Sequence, residues 1–566
     1  IDWPEEMTHS AWQWLLKITF WFVGNKGKPK SKSSKGSSKW SEQCIRRKNE
    51  SRLRAEELIQ KRISDEIKSL KTQESSSDPK ITLDLITVLK LFWERKHMSQ
   101  HIEDMIPDYR NQDLITYSKQ SIIMSALTIF LLRMGSGNKY DDKSHDKHEK
   151  YSKINIAKFI DAPKNRAPVI KTIEKFLKNL GEESINNLMF AFFKDLQKSK
   201  FFSQHPQIMP GDFFLLAADC VHTHTYDHLH HSDINGNNDC ECCLKRVYNK
   251  GTEKETVRWL HNTLVMSFVF FGGLKIPIYR YPIHAKQVVN LESDSEHNHK
   301  QECELVALKT ALPIIREAFP IMNIVLLLDG LYANKPVIRL ADEHRCGYII
   351  VRKEECLSLL ATECDEHASF SNHKKNCVKK CRGIDNDNWI IEQKYSWFNS
   401  MYLGDNVSTN VLRFHETRTK EGEEIRIYKC EWLFSWRLSA KTCELAARQA
   451  RTRWEIEDIF NTLKNRGFNL KHDYSRNPRS CFNWHGIALL AFGIFELFRF
   501  SEVVKQRGDL PQSTLAEKLL GQLLHRTTDE LFSESHLSKR IQFRYHFVIE
   551  LVKSIEVPLK HNEDLL

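Results

Sequence analysis

The chain has 566 residues, 41% of them hydrophobic and 28% charged, with a formal net charge of +11. This length is too great for one hydrophobic core, so two to four domains are expected. The composition is that of an ordinary soluble protein, and 14 Cys in so long a chain are expected to be reduced thiols in the cytoplasm, which excludes a disulfide-stabilised secreted domain. The apolar stretches at residues 11–23 and 486–500 are too short to span a bilayer, so no membrane partner is expected, and the second is interpreted as a buried core helix.

Residues 1–78 form an N-terminal region in which positive charge is concentrated. Residues 26–54 carry 11 Lys or Arg against 2 Glu, and this surplus of +9 leaves only +2 for the other residues. Residues 24–40 are predicted to be disordered because they are rich in Gly, Ser and Lys, and residues 41–72 are predicted to form an exposed helix. Such a tail can hold a polyanion, most often nucleic acid, and a solvated linker is the alternative.

Residues 79–205 are predicted to form a helical domain. Apolar residues recur with a helical period in ITLDLITVLKLFWERK, SIIMSALTIFLLRM, APVIKTIEKFLKNL and SINNLMFAFFKDL. Segments rich in Gly, Asn, Asp and Ser separate them. Small helical domains commonly bind duplex DNA, and a helical scaffold without DNA contact is the alternative.

From residue 211 the pattern changes to that of an α/β fold. DFFLLAADCVHTH is predicted to be a buried strand that ends in Asp219, and NIVLLLD a second apolar strand that ends in Asp329. The elements follow the order strand, strand, strand, helix, strand, helix, strand, which resembles an RNase H-like mixed sheet with flanking helices. Alternating β segments then predict a β-rich insertion. The predicted arrangement is an α+β multidomain protein, with the two parts of the RNase H-like domain at 206–354 and 441–500, the insertion at 355–440 and a C-terminal helical region at 501–566.

The segment RWEIEDIFNTLK is predicted to be a helix that presents a row of charges. At roughly 100° per residue, Arg453, Glu457 and Lys464 fall within a stripe about 40° wide. Ile456, Ile459 and Leu463 form a separate apolar stripe that can be buried. A simple ion pair between Arg453 and Glu457 is the ordinary interpretation of this spacing. Two aspartates at strand ends favour another one, because three carboxylates can form a two-metal phosphodiester site.

Two further acidic residues, Glu302 and Glu304, are predicted to lie at the start of a helix. The helix dipole stabilises carboxylates at that position, so the ordinary interpretation is structural, and a role in the site is the alternative.

The spacing Arg453-x3-Glu457-x6-Lys464 fits a known transposase signature. The chain resembles bacterial insertion-sequence transposases of the IS-four group, in the DDE, RNase H-like superfamily, which carry Tyr-x2-Arg-x3-Glu-x6-Lys. Ala450 stands at the tyrosine position of that signature. The group also carries a β-strand insertion between the second Asp and the Glu. Other similar stretches are RMGSGN at 133–138, KQECE at 300–304, DGLY at 329–332 and KHDY at 471–474.

The resemblance implies a cut-and-paste DNA transposase, in which strand cleavage at the element ends is followed by strand transfer into target DNA. Asp219, Asp329 and Glu457 would be its catalytic and metal-binding residues. Two Mg²⁺ ions, or Mn²⁺, about 3.5–4 Å apart can assist both displacements at phosphorus. The hypothesis is that Asp219 bridges both ions while Asp329 and Glu457 each hold one.

The implied partners are DNA, as terminal inverted repeats and target, and a second copy of the chain in a homodimer on paired ends. Arg453 and Lys464 would bind DNA-end phosphates, Arg453 in bidentate fashion, and His472 is a further candidate DNA contact. The implied location is the bacterial cytoplasm, at the nucleoid.

A cluster of His and Cys follows the first predicted strand. Its members are His222, His224, His228, His230, His231, Cys240, Cys242 and Cys243. Cys and neutral His bind zinc, but the cluster read as Cys-x-Cys-Cys is an irregular match to zinc motifs. Free thiols and loop histidines are therefore the ordinary interpretation, and a structural Zn²⁺ on Cys240, Cys242 and Cys243 is the alternative.

Two other functions compete with transposition. A domesticated DNA-binding protein derived from a transposase would bind element ends without cutting, but all three carboxylates are present. An RNase H-like structure-specific nuclease would cut without joining, but the Arg-Glu-Lys signature and the predicted insertion argue against it.

Overall fold

A computed structural model describes residues 84–145, 150–209, 211–231, 240–285, 303–370, 376–384, 389–420, 425–508, 510–532, 543–545 and 547. The tail and helix predicted within residues 1–78, and Glu302, lie outside these residues. The α-helices are α1 (Leu85–Arg95), α2 (Met98–Met105), α3 (Lys119–Leu131), α4 (Gly137–His145), α5 (Lys150–Phe159), α6 (Ile170–Lys178), α7 (Glu182–Lys198), α8 (Phe201–Gln204), α9 (Glu304–Ala318), α10 (Lys335–Glu343), α11 (Ser358–Ser369), α12 (Cys443–Arg451), α13 (Trp454–Asn465), α14 (Pro478–Arg499), α15 (Glu502–Lys505), α16 (Gln512–His525) and α17 (Thr528–Phe532). The strands are β1 (Phe214–Tyr226), β2 (Leu244–Tyr248), β3 (Thr256–Val269), β4 (Lys275–Pro282), β5 (Ile324–Leu328), β6 (Gly347–Arg352), β7 (Cys377–Ile384), β8 (Ile390–Gly404), β9 (Val407–Thr419) and β10 (Arg426–Phe434).

The strands of the described chain form one ten-stranded mixed sheet. Its order is β2-β3-β1-β5-β6-β10-β9-β8-β7, and β4 pairs with the later part of β3. The neighbours β1, β5 and β6 are parallel, whereas β1 and β3, β3 and β4, and β6 and β10 are antiparallel. The mixed α/β class predicted from the sequence is confirmed.

The first predicted strand does not end at Asp219, because β1 continues to Tyr226. Its partner β5 stops at Leu328, and the parallel pairing ends at Ala217 with Leu327. On its other side β3 is long enough to pair with β1 as far as Tyr226, across an irregularity between His222 and His224. A neighbouring strand, and not the local sequence, therefore sets the end of β1.

The β-rich segment predicted at residues 355–440 continues the central sheet. Its last strand, β10, pairs antiparallel with β6, from Glu431 opposite Arg352 to Phe434 opposite Ile349. Strands β9, β8 and β7 follow in turn. The domain boundaries at 205/206, 354/355 and 440/441 stay predictions, while buried residues on both sides of each one belong to one continuous hydrophobic core.

Helix α14 lies at the centre of this core and packs against α3, α6, α7 and β4. Among the described helices it is the one long and apolar enough to cross a membrane, yet 94% of its most apolar window is buried inside the protein. The prediction of a buried core helix is confirmed. Its buried Glu496 is paired with Arg499 at 3.0 Å.

A fully buried arginine of β4, Arg280, packs against α14. Its Nη2 donates to Asn483 Oδ1 at 2.9 Å, and its guanidinium lies 3.5 Å from the centroid of the Phe482 ring. Burial lowers the pKa of Arg280 to about 9. Gly486 makes room for this side chain, because a Cβ at that position would lie 2.2 Å from Arg280 Nε.

We predict that Gly486→Ala lowers the free energy of unfolding by about 1–3 kcal/mol, because an extra methyl group cannot enter a filled core without displacing Arg280. The matched control is Gly493→Ala on the same helix, where the nearest atom to a new Cβ is Pro277 Cδ at 3.5 Å. Alanine is favoured over glycine in helices by about 1 kcal/mol, so this control should be neutral or stabilising. Equal effects of the two substitutions in denaturant unfolding would contradict the prediction.

Candidate active site

Two aspartates lie side by side at one edge of the parallel part of the sheet. The pairing of β1 with β5 brings Ala217 opposite Leu327, so Asp219 and Asp329, two residues further along each chain, reach the same level. Asp219 Oδ1 accepts a hydrogen bond from the Cys220 N–H at 2.8 Å, and Asp329 Oδ1 accepts one from the Leu331 N–H at 3.0 Å. Both side chains remain partly accessible, at 23% and 27%.

The third predicted carboxylate, Glu457, lies in the first turn of α13, which packs against β1, β3 and β4. The apolar stripe predicted for this helix is confirmed, since Ile456, Ile459 and Leu463 are each fully buried. On another face, Glu455 and Asp458 each lie 2.6 Å from Lys275 Nζ of β4. These contacts fix the rotation of α13 over the sheet and direct its remaining acidic residue to the aspartate edge.

Arg453 joins Glu457 to Asp219. Its Nη2 lies 2.6 Å from Glu457 Oε1 and its Nη1 lies 3.6 Å from Asp219 Oδ2. Arg453 is only 8% exposed, although it was predicted to bind DNA phosphates. Here its guanidinium faces carboxylates, and it holds the sheet edge and α13 in one arrangement.

A fourth carboxylate, Glu304, lies beside this group. It is the first residue of α9, and it is within hydrogen-bonding reach of the Cys220 thiol. Burial raises the pKa of Glu304, and the charges of Asp219 and Asp329 raise it further. The sequence placed Glu304 at a helix start and favoured a structural role, whereas the fold brings that helix start to the aspartate edge.

The four carboxylates, Asp219, Asp329, Glu457 and Glu304, are called the acidic centre. Burial raises the pKa of Asp219 above its ordinary value, and the charges of Asp329 and Glu457 add to that effect. The Cys220 N–H and Arg453 act in the opposite direction, but the net shift stays upward. Arg453 and Lys353 pair with carboxylates of the acidic centre, and four ionised carboxylates would exceed these two positive charges, which is an environment suited to a bound cation.

The acidic centre is an open cluster. In the described residues, two groups of three side chains bring their possible metal-ligand atoms within 4.8 Å of one another, and both consist of His and Cys. The carboxylates of the acidic centre do not form such a compact group. Arg453 lies between Asp219 and Glu457, and Lys353 Nζ lies 3.7 Å from Asp329 Oδ2. A chemical role for this arrangement requires a partner that enters between the side chains.

The remaining predicted contact residues follow Glu457 along the chain. Lys464 is half-buried near the end of α13, and burial together with the nearby Lys471 lowers its pKa. The His472 carbonyl accepts a hydrogen bond from His224 Nε2 at 3.1 Å, and the His472 ring packs on Tyr474. Two basic side chains thus lie next to each other beyond the acidic centre, while His472 also has a structural contact with β1.

The start of α13 also carries an exposed aromatic residue. Trp454 is 56% exposed, and the Arg453 guanidinium lies 5.2 Å from its ring centroid. Ala450, at the tyrosine position of the transposase signature, is 3% exposed on the preceding helix α12. A tyrosine ring in that buried place would need a different packing around α12.

A scan against protein-family models finds no match for this chain, and a search of curated proteins finds none either. The resemblance to IS-four transposases therefore depends on the motif residues themselves.

We predict that Asp219→Asn raises the melting temperature near neutral pH, in buffer without Mg²⁺ or Mn²⁺, by about 1–3 °C. Because the folded pKa of Asp219 is raised above 3.8, its ionisation opposes folding, and stability falls as the pH rises through that pKa. The gain should vanish below the ordinary pKa, where both proteins carry no charge at this position. The control is Asp405→Asn, at an exposed aspartate whose pKa the Lys335 ammonium lowers, and it should give no gain. A pH-independent gain would contradict the prediction.

Proposed function

We propose that the protein is a metal-dependent DNA transposase that cuts DNA at the ends of its element and joins those ends to target DNA. The observation that carries this proposal is the meeting of Asp219, Asp329 and Glu457 beside Arg453. Asp219 and Asp329, which are far apart in the chain, lie near the Arg453 and Glu457 of the Arg-x3-Glu-x6-Lys signature, as the resemblance to DDE transposases implies.

An RNase H-like domain is part of the proposal, and the topology supports it. In the order β4-β3-β1-β5-β6, the neighbours β4, β3 and β1 are antiparallel, and β5 and β6 run parallel to β1, as in an RNase H-like sheet. In the chain, helix α9 precedes β5 and helix α10 precedes β6. The β segment between β6 and α13 takes the place of the insertion that IS-four transposases carry before their Glu.

The oxygen donors of the acidic centre support divalent metal ions as its partners. Mg²⁺ prefers oxygen ligands and needs few protein carboxylates, since it keeps several waters. Asp219, Asp329 and Glu457 would hold the ions, and a bound cation would offset the burial and the neighbouring charges that raise the pKa of Asp219. When bound, two Mg²⁺ or Mn²⁺ ions would activate the entering oxygen and stabilise the leaving one in a displacement at phosphorus.

The chain's own residues would position these ligands and the DNA. Arg453 fixes Glu457 against Asp219, so its main role is proposed to be the positioning of carboxylates. Lys464 and Lys471 would bind backbone phosphates as point charges. The exposed ring of Trp454 offers a surface on which a base at the DNA end can stack.

The proposed setting is the one that the resemblance implies: a homodimer on paired terminal inverted repeats, in the bacterial cytoplasm at the nucleoid. The rival functions are a domesticated end-binding protein and an RNase H-like nuclease. Each predicts a different outcome in a cleavage assay.

We predict that the protein cuts plasmid DNA at the ends of its source element when Mg²⁺ or Mn²⁺ is present, and that Glu457→Gln lowers cutting at least 100-fold. The charge of Glu457 is needed to hold a cation, and the amide removes it without changing the side-chain shape. Asp405→Asn, at an exposed aspartate that pairs with Lys335 at 2.7 Å, is the control for loss of a carboxylate charge and should keep most of the activity. Circular dichroism and melting curves establish that both variants fold.

Three results of that assay would contradict the transposase proposal. Binding to the ends without metal-dependent cutting favours the domesticated protein. Cutting that is independent of the element ends favours the nuclease. Full activity of Glu457→Gln removes the acidic centre from the reaction.

We predict that Lys464→Ala weakens binding of end DNA and lowers the slope of log K against log salt concentration by about 1, the loss of one phosphate contact. The control is Lys335→Ala, because Lys335 already pairs with Asp405 at 2.7 Å. Fluorescence anisotropy over a salt series measures both slopes. Equal slopes for wild type and Lys464→Ala would remove Lys464 from the DNA interface.

A further inference from the structure

Three separate segments bring Cys and His side chains together near the end of β1 that follows Asp219. Cys240 and Cys243 precede β2, His261 lies on β3, and His230 follows β1. His261 Nε2 lies 3.4 Å from Cys240 Sγ and 3.1 Å from Cys243 Sγ. Ligand atoms of His230, Cys243 and His261 lie within 4.8 Å of one another.

The backbone around the two cysteines is a tight turn. The Cys243 N–H donates to the Cys240 carbonyl at 3.3 Å, and the Cys240 N–H donates to the His230 carbonyl at 2.8 Å. Cys240 and Cys243 are separated by two residues, so they form a C-x2-C pair, which is a common spacing of zinc ligands. The third cysteine, Cys242, lies between them and makes the pattern look irregular. The turn brings both thiols to His261 Nε2, and the hydrogen bond from the Cys240 N–H holds the His230 backbone beside the turn.

The distances match those between ligands of one tetrahedral zinc ion. With Zn–S bonds of about 2.3 Å, Zn–N bonds of about 2.0 Å and tetrahedral angles, adjacent sulfur and nitrogen ligands lie about 3.5 Å apart. The separations of 3.1 and 3.4 Å are close to that value.

Burial gives a second, independent indication. Cys240, Cys243, His230 and His261 are 2%, 1%, 8% and 7% exposed. The Nδ1 atom of His230 is buried without a hydrogen-bond partner in the described part of the chain. A buried polar nitrogen is costly unless it is paired, and a metal ion would supply the missing partner.

We propose that Cys240, Cys243, His230 and His261 bind one structural Zn²⁺ ion. Two thiolates and two neutral imidazoles make this centre electrically neutral, as its buried place requires. The ion would join the segment after β1 to the start of β2 and to the middle of β3. The proposal does not depend on the transposase function.

Neighbouring residues are assigned to other contacts. Cys242 Sγ lies 3.9 Å from His284 Nδ1 and is also within hydrogen-bonding reach of the Cys240 thiol. His224 uses both ring nitrogens, with Nε2 3.1 Å from the His472 carbonyl and Nδ1 3.6 Å from Cys481 Sγ. Of the three cysteines in the sequence-based zinc alternative, Cys240 and Cys243 are retained and Cys242 is replaced by two histidines.

Metal analysis of the full-length protein, purified from zinc-supplemented medium without chelators, tests the proposal. We expect about one zinc per chain by inductively coupled plasma mass spectrometry, falling at least fivefold in Cys243→Ser and His261→Ala. Cys242→Ser and Cys364→Ser should keep the metal, the second being a control for loss of a buried thiol elsewhere. Protein refolded with Co²⁺ should show the thiolate charge-transfer and tetrahedral d–d absorption bands of a two-sulfur site, a readout that needs no variant.

Two outcomes would overturn the proposal. Wild-type protein that contains no stoichiometric zinc and gives no thiolate–cobalt band has no such site. Loss of zinc in Cys242→Ser with retention in His230→Ala would replace the proposed ligands by a different set.

Discussion

The fold of this protein must hold several carboxylates close together against their mutual repulsion, and the contact of Arg453 with Asp219 and Glu457 makes this possible. Burial and neighbouring charge raise the pKa of Asp219 and of Glu304 alike, so the acidic centre stores unfavourable electrostatic energy in the native state. One guanidinium offsets only part of it. Such strain is typical of sites that are completed by a ligand, because the rest of the fold must supply the stability that the site lacks.

That stability comes from the elements around the acidic centre. The sheet register sets Asp219 against Asp329 through backbone hydrogen bonds alone. Lys275 anchors α13 through Glu455 and Asp458, so the helix cannot rotate away from β1 even though Glu457 is repelled by its neighbours. Buried side chains of α13 and α14 complete the support. The helix that carries the third carboxylate is thus held by contacts that take no part in the site.

The sequence predicted what depends on local spacing and missed what depends on distant partners. The stripe of Arg453 and Glu457 follows from helical period, and Asp329 follows from an apolar run that does end there. The predicted end of β1 at Asp219 was wrong, because the length of the neighbouring strand β3 determines where β1 ends. Glu304 lies beside the aspartates because α9 packs against β1, β3 and β4. His261 lies beside Cys240 and Cys243 because β2, which follows these cysteines, pairs with β3. A single sequence contains no signal for either contact.

Strand β1 connects the acidic centre to the proposed zinc site, and the two differ in charge and in access to water. At Asp219 the carboxylates are partly accessible and poorly neutralised, so an added cation would lower their energy and could exchange with solvent. Near the other end of β1, the Cys and His side chains are closed from water, and an ion held by two thiolates and two imidazoles would be neutral and slow to leave. An exchangeable cation is what the proposed metal-dependent reaction needs, and a slowly released ion is what the proposed structural zinc site needs. A zinc ion bound by His230, just after β1, would limit the movement of β1. A rigid β1 would in turn hold Asp219 in place against the repulsion of the neighbouring carboxylates.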